Sequence, residues 1–284
     1  MNFIRLKKWL PFLTAGAISL LIIYFSSCKI DHGLEPIYSK ISGKVFITGE
    51  APEKTDEIRV AVIKKFPPKR INELLFSNRI SYQNDTSSYE IFVPPGTYDV
   101  VAVIWKEKYG AWNISDVVGV YGGIFIGDQL LPSYVPVTVP DNDAIVDSID
   151  IPINLNVVNR PVTIEGNVTF QGSWPQNTGT MAVGAFTDIP EKGNFIDYYF
   201  KSVYIDFSLS TFVTEDDYRL RVHLGDTLRY ISVLWINDTY DFSSITDIGF
   251  YATDADPNQP DSIVTNNREY KNIDILVDFS KMQE

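Results

Sequence analysis

Chemistry in this chain would have to start from very few residues. Cys28 is the only cysteine among 284 residues, and His32 and His223 are the only histidines. One thiol cannot form a disulfide within the chain, so the fold must rest on its core. A zinc site would normally draw three or four His, Cys or acidic ligands, and two scattered histidines do not supply them. Serine is plentiful, but no Gly-x-Ser-x-Gly elbow occurs, and a lone His223 at a strand end is a poor base for a nucleophile. The chain is therefore expected not to be an enzyme and to need no cofactor or metal. Two acidic loops, Asp141-Asn142-Asp143 and Asp254-Ala255-Asp256-Pro257-Asn258, offer the oxygen ligands that calcium prefers. Neither matches an EF-hand loop, and both read as turns whose side chains bond their own backbone.

Aromatic side chains are the other candidates for binding. Trp105 and Trp235 lie on apolar strands and read as core. Trp112 sits in the loop Tyr109-Gly110-Ala111-Trp112-Asn113, and Trp174 sits in Gly172-Ser173-Trp174-Pro175. Trp112, Tyr109 and Trp174 are the expected ligand-binding residues, because a loop aromatic offers a large rigid face to a sugar ring or a peptide. Tyr121, and Tyr240, Phe242 and Tyr251 further along, lie near the corresponding loops and could equally be packing residues.

The setting of Cys28 gives it a role. Arg5, Lys7 and Lys8 form a basic start, Trp9 to Phe25 is mostly apolar, and Ser26-Ser27 precede the cysteine. A charged start, a short apolar stretch and small residues at the cut make a secretory signal. A transmembrane helix needs roughly 17–25 apolar residues. Trp9 to Tyr24 is near that minimum, diluted by Pro11, Thr14, Gly16 and Ser19, and no basic cluster follows. The segment resembles a bacterial lipoprotein signal, with Phe25 where an aliphatic residue is usual. The resemblance implies cleavage after residue 27, lipid modification of Cys28 and attachment to a membrane. Lys29 and Ile30 stand where inner-membrane retention would call for an aspartate, so the outer membrane of a bacterial envelope is expected. Residues 28–37 read as a tether.

The signal holds three of the 24 basic residues and none of the 36 acidic ones, which leaves the 257-residue mature part with a net charge near −15. Nucleic-acid binding depends on Lys and Arg contacts to phosphates, so no nucleic-acid partner is expected. The spread of acidic residues serves solubility. An aromatic content of 13% argues for a packed β protein and against disorder.

The mature part repeats itself. Ile41-Ser42-Gly43-Lys44-Val45 recurs as Ile164-Glu165-Gly166-Asn167-Val168, 123 residues later. Val103-Ile104-Trp105 recurs as Val233-Leu234-Trp235, and Val118-Gly119-Val120-Tyr121 as Ile248-Gly249-Phe250-Tyr251, both 130 later. Ser148-Ile149-Asp150-Ile151 recurs as Asn272-Ile273-Asp274-Ile275, 124 later. An ordered repeat of this kind is one module used twice, with a longer mid-module loop in the second copy and a shorter one near its end. The expected domains are 38–158 and 160–284, joined near Asn159-Arg160-Pro161.

Each copy reads as short strands separated by turns, which predicts two tandem β-sandwiches. Tyr89 to Val93 and Tyr98 to Trp105, joined by Pro94-Pro95-Gly96, read as a hairpin, and Ile71 to Ser77 as a helical turn. The order Ile-x-Gly-x-Val, then Tyr89 to Ala102 with Pro-Pro-Gly inside it, then Ile149-Asp150-Ile151, resembles the carboxypeptidase regulatory-like domain. That family implies a transthyretin-like, immunoglobulin-like sandwich acting as an accessory module, with no catalytic motif. In the second copy Leu224-Gly225-Asp226 replaces the Pro-Pro-Gly turn. The expected function is a lipid-anchored, non-catalytic envelope protein that binds or builds, with a protein or glycan partner. A surface glycan-binding lipoprotein assisting carbohydrate uptake is the alternative.

Overall fold

Apolar residues alternate with polar ones along most segments, the pattern of strands with one face buried. The computed structural model describes residues 39–66, 73–141, 143–239, 244–253 and 256–283. The first copy runs β1 (Lys40–Thr48), β2 (Thr55–Ile63), β3 (Leu75–Phe76), β4 (Thr86–Phe92), β5 (Gly96–Tyr98), β6 (Val100–Glu107), β7 (Val117–Val120), β8 (Ile124–Ile126), β9 (Gln129–Leu131), β10 (Val137–Val139), β11 (Ile145–Val146) and β12 (Ile151–Asn154). β1 is the centre of one sheet, antiparallel to β4 on one side and parallel to β11 and β12 on the other. The facing sheet has the order β3-β2-β6-β7. Ile41, Val45, Ile58, Val60, Val101, Val103 and Ile151 fill the space between.

The second copy runs β13 (Val162–Gln171), β14 (Thr178–Phe186), α1 (Phe195–Lys201), β15 (Ser202–Asp206), β16 (Glu215–Val222), β17 (Thr227–Leu228), β18 (Tyr230–Asn237), β19 (Thr246–Phe250), β20 (Ile263–Val264), β21 (Glu269–Tyr270) and β22 (Ile275–Asp278). Its sheet order repeats the first: β13 lies between β16 and the pair β21 and β22, and the facing sheet is β15-β14-β18-β19. All described residues belong to one compact unit, Tyr38–Glu284, with a separate core inside each copy. Twenty-two residues separate β2 from β4, and twenty-eight separate β14 from β16, which gives six of the seven residues by which the sequence offset drifts. Among the described residues no helix is long and apolar enough to cross a membrane.

The repeat holds down to single hydrogen bonds. The Trp105 indole donates to the Thr55 hydroxyl at 2.8 Å, and Trp235 to Thr178 at 2.9 Å. Tyr89 donates to the Ile149 carbonyl at 2.7 Å, and Tyr218 to that of Ile273 at 2.5 Å. Both tyrosines sit opposite a glycine of the central strand, Gly43 and Gly166. A Cβ on Gly43 would lie 2.3 Å from the Ile149 carbonyl oxygen, and one on Gly166 2.1 Å from that of Ile273. Backbone cannot yield there as a side chain would. Gly43→Ala and Gly166→Ala should each cost about 1–3 kcal/mol, the range for overpacking. Urea midpoints would show it, and unchanged midpoints would mean that the strands are further apart than described.

β6 and β18 are buried on both faces. Val101, Val103 and Trp105 point into the first core, whereas Val100 and Ala102 join Ile63 and Val120 on the outer face of the sheet. On β18, Ile231 and Val233 point inward, and Tyr230, Leu234 and Ile236 lie outside with Phe195 and Tyr198 of α1. A third layer therefore covers each sandwich. In the second copy it is α1, capped by the Asn194 side chain on the Asp197 N–H at 3.2 Å. The phenols of Tyr198 and Tyr230 both donate to the Asp247 carboxylate, at 2.7 and 2.6 Å, and tie the helix to the sheet.

Two expectations are corrected. Tyr89 to Val93 and Tyr98 to Trp105 do not form a hairpin: β4 pairs with β1, β5 with β10 and β6 with β2. Pro94 and Pro95 have no N–H to give to a ladder, so the chain crosses between sheets, and the Tyr98 phenol closes the corner on the Pro94 carbonyl at 2.6 Å. The expected helical turn at Ile71 to Ser77 is confined to its start: Glu73 has 3-10 geometry, and β3 follows, paired to Ala61 and Val62. Residues 71 and 72 lie outside the described residues.

Candidate functional site

The loop expected to bind has one ring in solvent and one packed on the first copy. Tyr109 is fully exposed, with φ at 64°. Trp112 is half-buried and stacks on Phe76 at 5.1 Å, with the Lys106 ammonium 5.8 Å from the ring centre. Asn113 caps the short helix Ile114–Asp116 by accepting from the Ser115 N–H at 2.8 Å. Its amide donates to the Ile205 carbonyl at 2.6 Å, and the Ser115 hydroxyl accepts from the Ile205 N–H at 3.0 Å. Two side chains of the first copy thus satisfy the backbone of β15 in the second.

Behind that clamp lies an ion pair. Arg160 reaches back from the start of the second copy to the Asp116 carboxylate at 2.6 Å and to the Ser115 carbonyl, and its guanidinium lies 5.1 Å from the Tyr204 ring centre. The two side chains are 5% and 7% exposed. Burial pushes the Asp116 carboxyl above its ordinary value, and the Arg160 guanidinium pulls against that. Arg221 adds a second bond across the junction, at 2.5 Å to Glu107. On the other side Phe66 of the first copy packs on Phe195 and Tyr199 of the second, at 6.1 Å each.

Between the copies is a cleft of about 860 Å³. Leu130, Pro132, Asp128 and Asn156 line it from the first copy, and Thr187, Phe200, His223, Leu224 and Asp226 from the second. The Asp128 carboxylate accepts from the amides of Asn154 at 2.7 Å and Asn156 at 3.1 Å, which hold its pKa below the usual carboxylate range. His223 Nε2 is 3.0 Å from the Val157 carbonyl, and a carbonyl only accepts, so Nε2 carries the proton. The Asp226 carboxylate accepts from the His223 N–H at 2.9 Å. These cleft residues lie far apart in sequence, and only the stretch from His223 to Asp226 carries a signal in the sequence, as a histidine at a strand end and a turn.

Trp174 is half-buried. Its indole donates to the Val213 carbonyl at 3.0 Å, and its ring packs on Phe170, Phe212 and Phe279. Cys28, His32, Tyr240, Phe242, Asn142, Asp254 and Ala255 lie outside the described residues. In the rest of the acidic loops, Asp141 accepts from the Asp143 N–H and Asp256 from the Asn258 N–H, both at 3.2 Å. No group of three or more His, Cys, Asp or Glu residues converges among the described residues.

The chain matches no protein-family model. It matches no curated protein. Among solved structures, a candidate adhesin from Bacteroides ovatus is 10% identical, with a TM-score of 0.25 over 83% of this chain and 92% of that one. A candidate cell adhesion protein from Bacteroides fragilis is 10% identical, with a TM-score of 0.26 over 84% and 91%. The Bacillus anthracis TIE protein is 8% identical, with a TM-score of 0.19; the match covers 84% of this chain but only 34% of that much longer one. None of these scores argues for a function, so the functional reading rests on the geometry of this chain.

Proposed function

We propose that the chain is a lipid-anchored, non-catalytic protein of the bacterial envelope, in which two carboxypeptidase regulatory-like modules, 38–158 and 160–284, form one stiff binding or structural arm. The observation that carries this reading is the junction. Modules on a flexible linker share few contacts, and their relative motion is the default. Here a buried ion pair, two side-chain bonds to Ile205 and an aromatic contact hold the copies together. The cleft beside that junction is the binding face, since clefts of roughly 300–1,000 Å³ between domains are the usual place for ligands. The glycan alternative finds no support in Trp112 and Trp174, whose rings contact Phe76 and three phenylalanines.

The anchor is tested at Cys28. One acyl chain gives only marginal attachment, and two or more give stable anchoring. Cys28→Ser should leave the membrane fraction or accumulate as uncleaved precursor. Processing and membrane retention like those of the wild type would overturn the lipid anchor.

A further inference from the structure

Resting on the reading of the cleft as the binding face, we propose that it holds a lysine- or arginine-bearing extended segment of a protein partner. The first observation is a pair of carboxylates that no lysine or arginine among the described residues neutralises. Both amides on Asp128 use Oδ1, and the backbone bond to Asp226 uses Oδ2, so each side chain keeps one oxygen for a ligand. Among the described residues neither aspartate forms an ion pair with Lys or Arg, and only the His223 imidazole stands 3.6 Å from Asp226. Arg160 also lines the cleft, but its charge is committed to Asp116.

The second observation is the wall beside those carboxylates. Phe200 is 50% exposed and Leu224 is 60% exposed, and both line the cleft with Leu130 and Pro132. Lys and Arg carry long methylene stems that lie on apolar surface while the charged head reaches a polar group. A cleft with apolar walls and two open carboxylates fits that shape. The net charge of −12 at pH 7 favours a basic partner and opposes an anionic membrane or a nucleic acid. The volume admits several side chains, so a peptide segment fits better than a single small amine.

The test uses the full chain in neutral detergent and two fluorescein-labelled peptides, Gly-Lys-Leu-Lys-Leu-Gly and Gly-Glu-Leu-Glu-Leu-Gly, followed by fluorescence anisotropy in 0.15 M salt. The lysine peptide should bind saturably and the glutamate peptide should not. D128N/D226N should weaken the lysine peptide at least tenfold with an unchanged melting temperature, and E90Q/E215Q, at exposed strand positions that do not line the cleft, should not. Absence of saturable binding, equal binding of both peptides, or equal losses in the two double variants would overturn the proposal. Membrane attachment through Cys28 and stiffness of the arm are measured separately, so this result can fail while the broader reading stands.

Discussion

Arg160→Met should cost about 3–5 kcal/mol, because removing one partner of a buried ion pair leaves an uncompensated charge. Asp116 would keep its buried site, with side-chain exposure of 7%, and lose its only cation at 2.6 Å. Its carboxyl already sits above its ordinary value because burial outweighs the pull of Arg160, and without that pull it must rise further. A carboxyl raised in the folded state is tolerated when protonated and costs stability as pH rises through its folded value. The deficit of Arg160→Met relative to wild type should therefore shrink on going from pH 8 to pH 5. Asp116→Asn should cost less, since an amide oxygen can still accept from Arg160. Asp116→Leu combined with Arg160→Met should recover much of the loss. Urea titrations of the four proteins at both pH values decide this. A deficit in Arg160→Met that is under 1 kcal/mol, or that grows in acid, would show that the pair is not buried as described.

Trp105→Ala should cost a similar amount, about 3–5 kcal/mol for a large aromatic truncated in a core. Trp105 is 5% exposed and packs in the first core. Its indole donates to Thr55, whose hydroxyl donates in turn to the Pro52 carbonyl at 2.6 Å. Truncation opens a cavity and breaks the link that holds the turn before β2. Trp235 makes the same bond but is only half-buried, so Trp235→Ala should cost less. Both losses would appear as shifts of the denaturant midpoint. Equal effects of a few tenths of a kcal/mol would place both indoles at the surface.

The repeat was legible because its carriers are backbone constraints. Gly43 and Gly166 lie under a facing carbonyl, and Ser148 and Asn272 take the same left-handed turn, at φ 64° and 60°. Such positions restrict residue type, so they survive in the letters. The third layer was less legible. α1 has a capping Asn194 and aromatics at positions 195, 198 and 199, the one-face spacing of a helix, but it is seven residues long and sits among strands. Pro94-Pro95-Gly96 looks like an ordinary turn in sequence, although its two missing N–H groups disfavour a ladder. The most instructive case is Trp112. Its lack of a counterpart in the second copy suggested a binding role. Its loop leads into Asn113, Ser115 and Asp116, which hold the junction, and two copies of one module must differ where they touch each other. Pairings between residues 92 and 44 positions apart, such as Asn113 with Ile205 and Asp116 with Arg160, leave no periodic trace in a single sequence.

The two copies should move as one stiff body. Spin labels at Ser88→Cys on β4 and Glu215→Cys on β16, with Cys28→Ser removing the native thiol, place a reporter at an exposed site on each copy. Pulsed electron double resonance should give a single narrow distance distribution, and Arg160→Met should broaden it. A broad distribution in the otherwise unaltered protein, of the kind two modules on a flexible linker produce, would contradict the account.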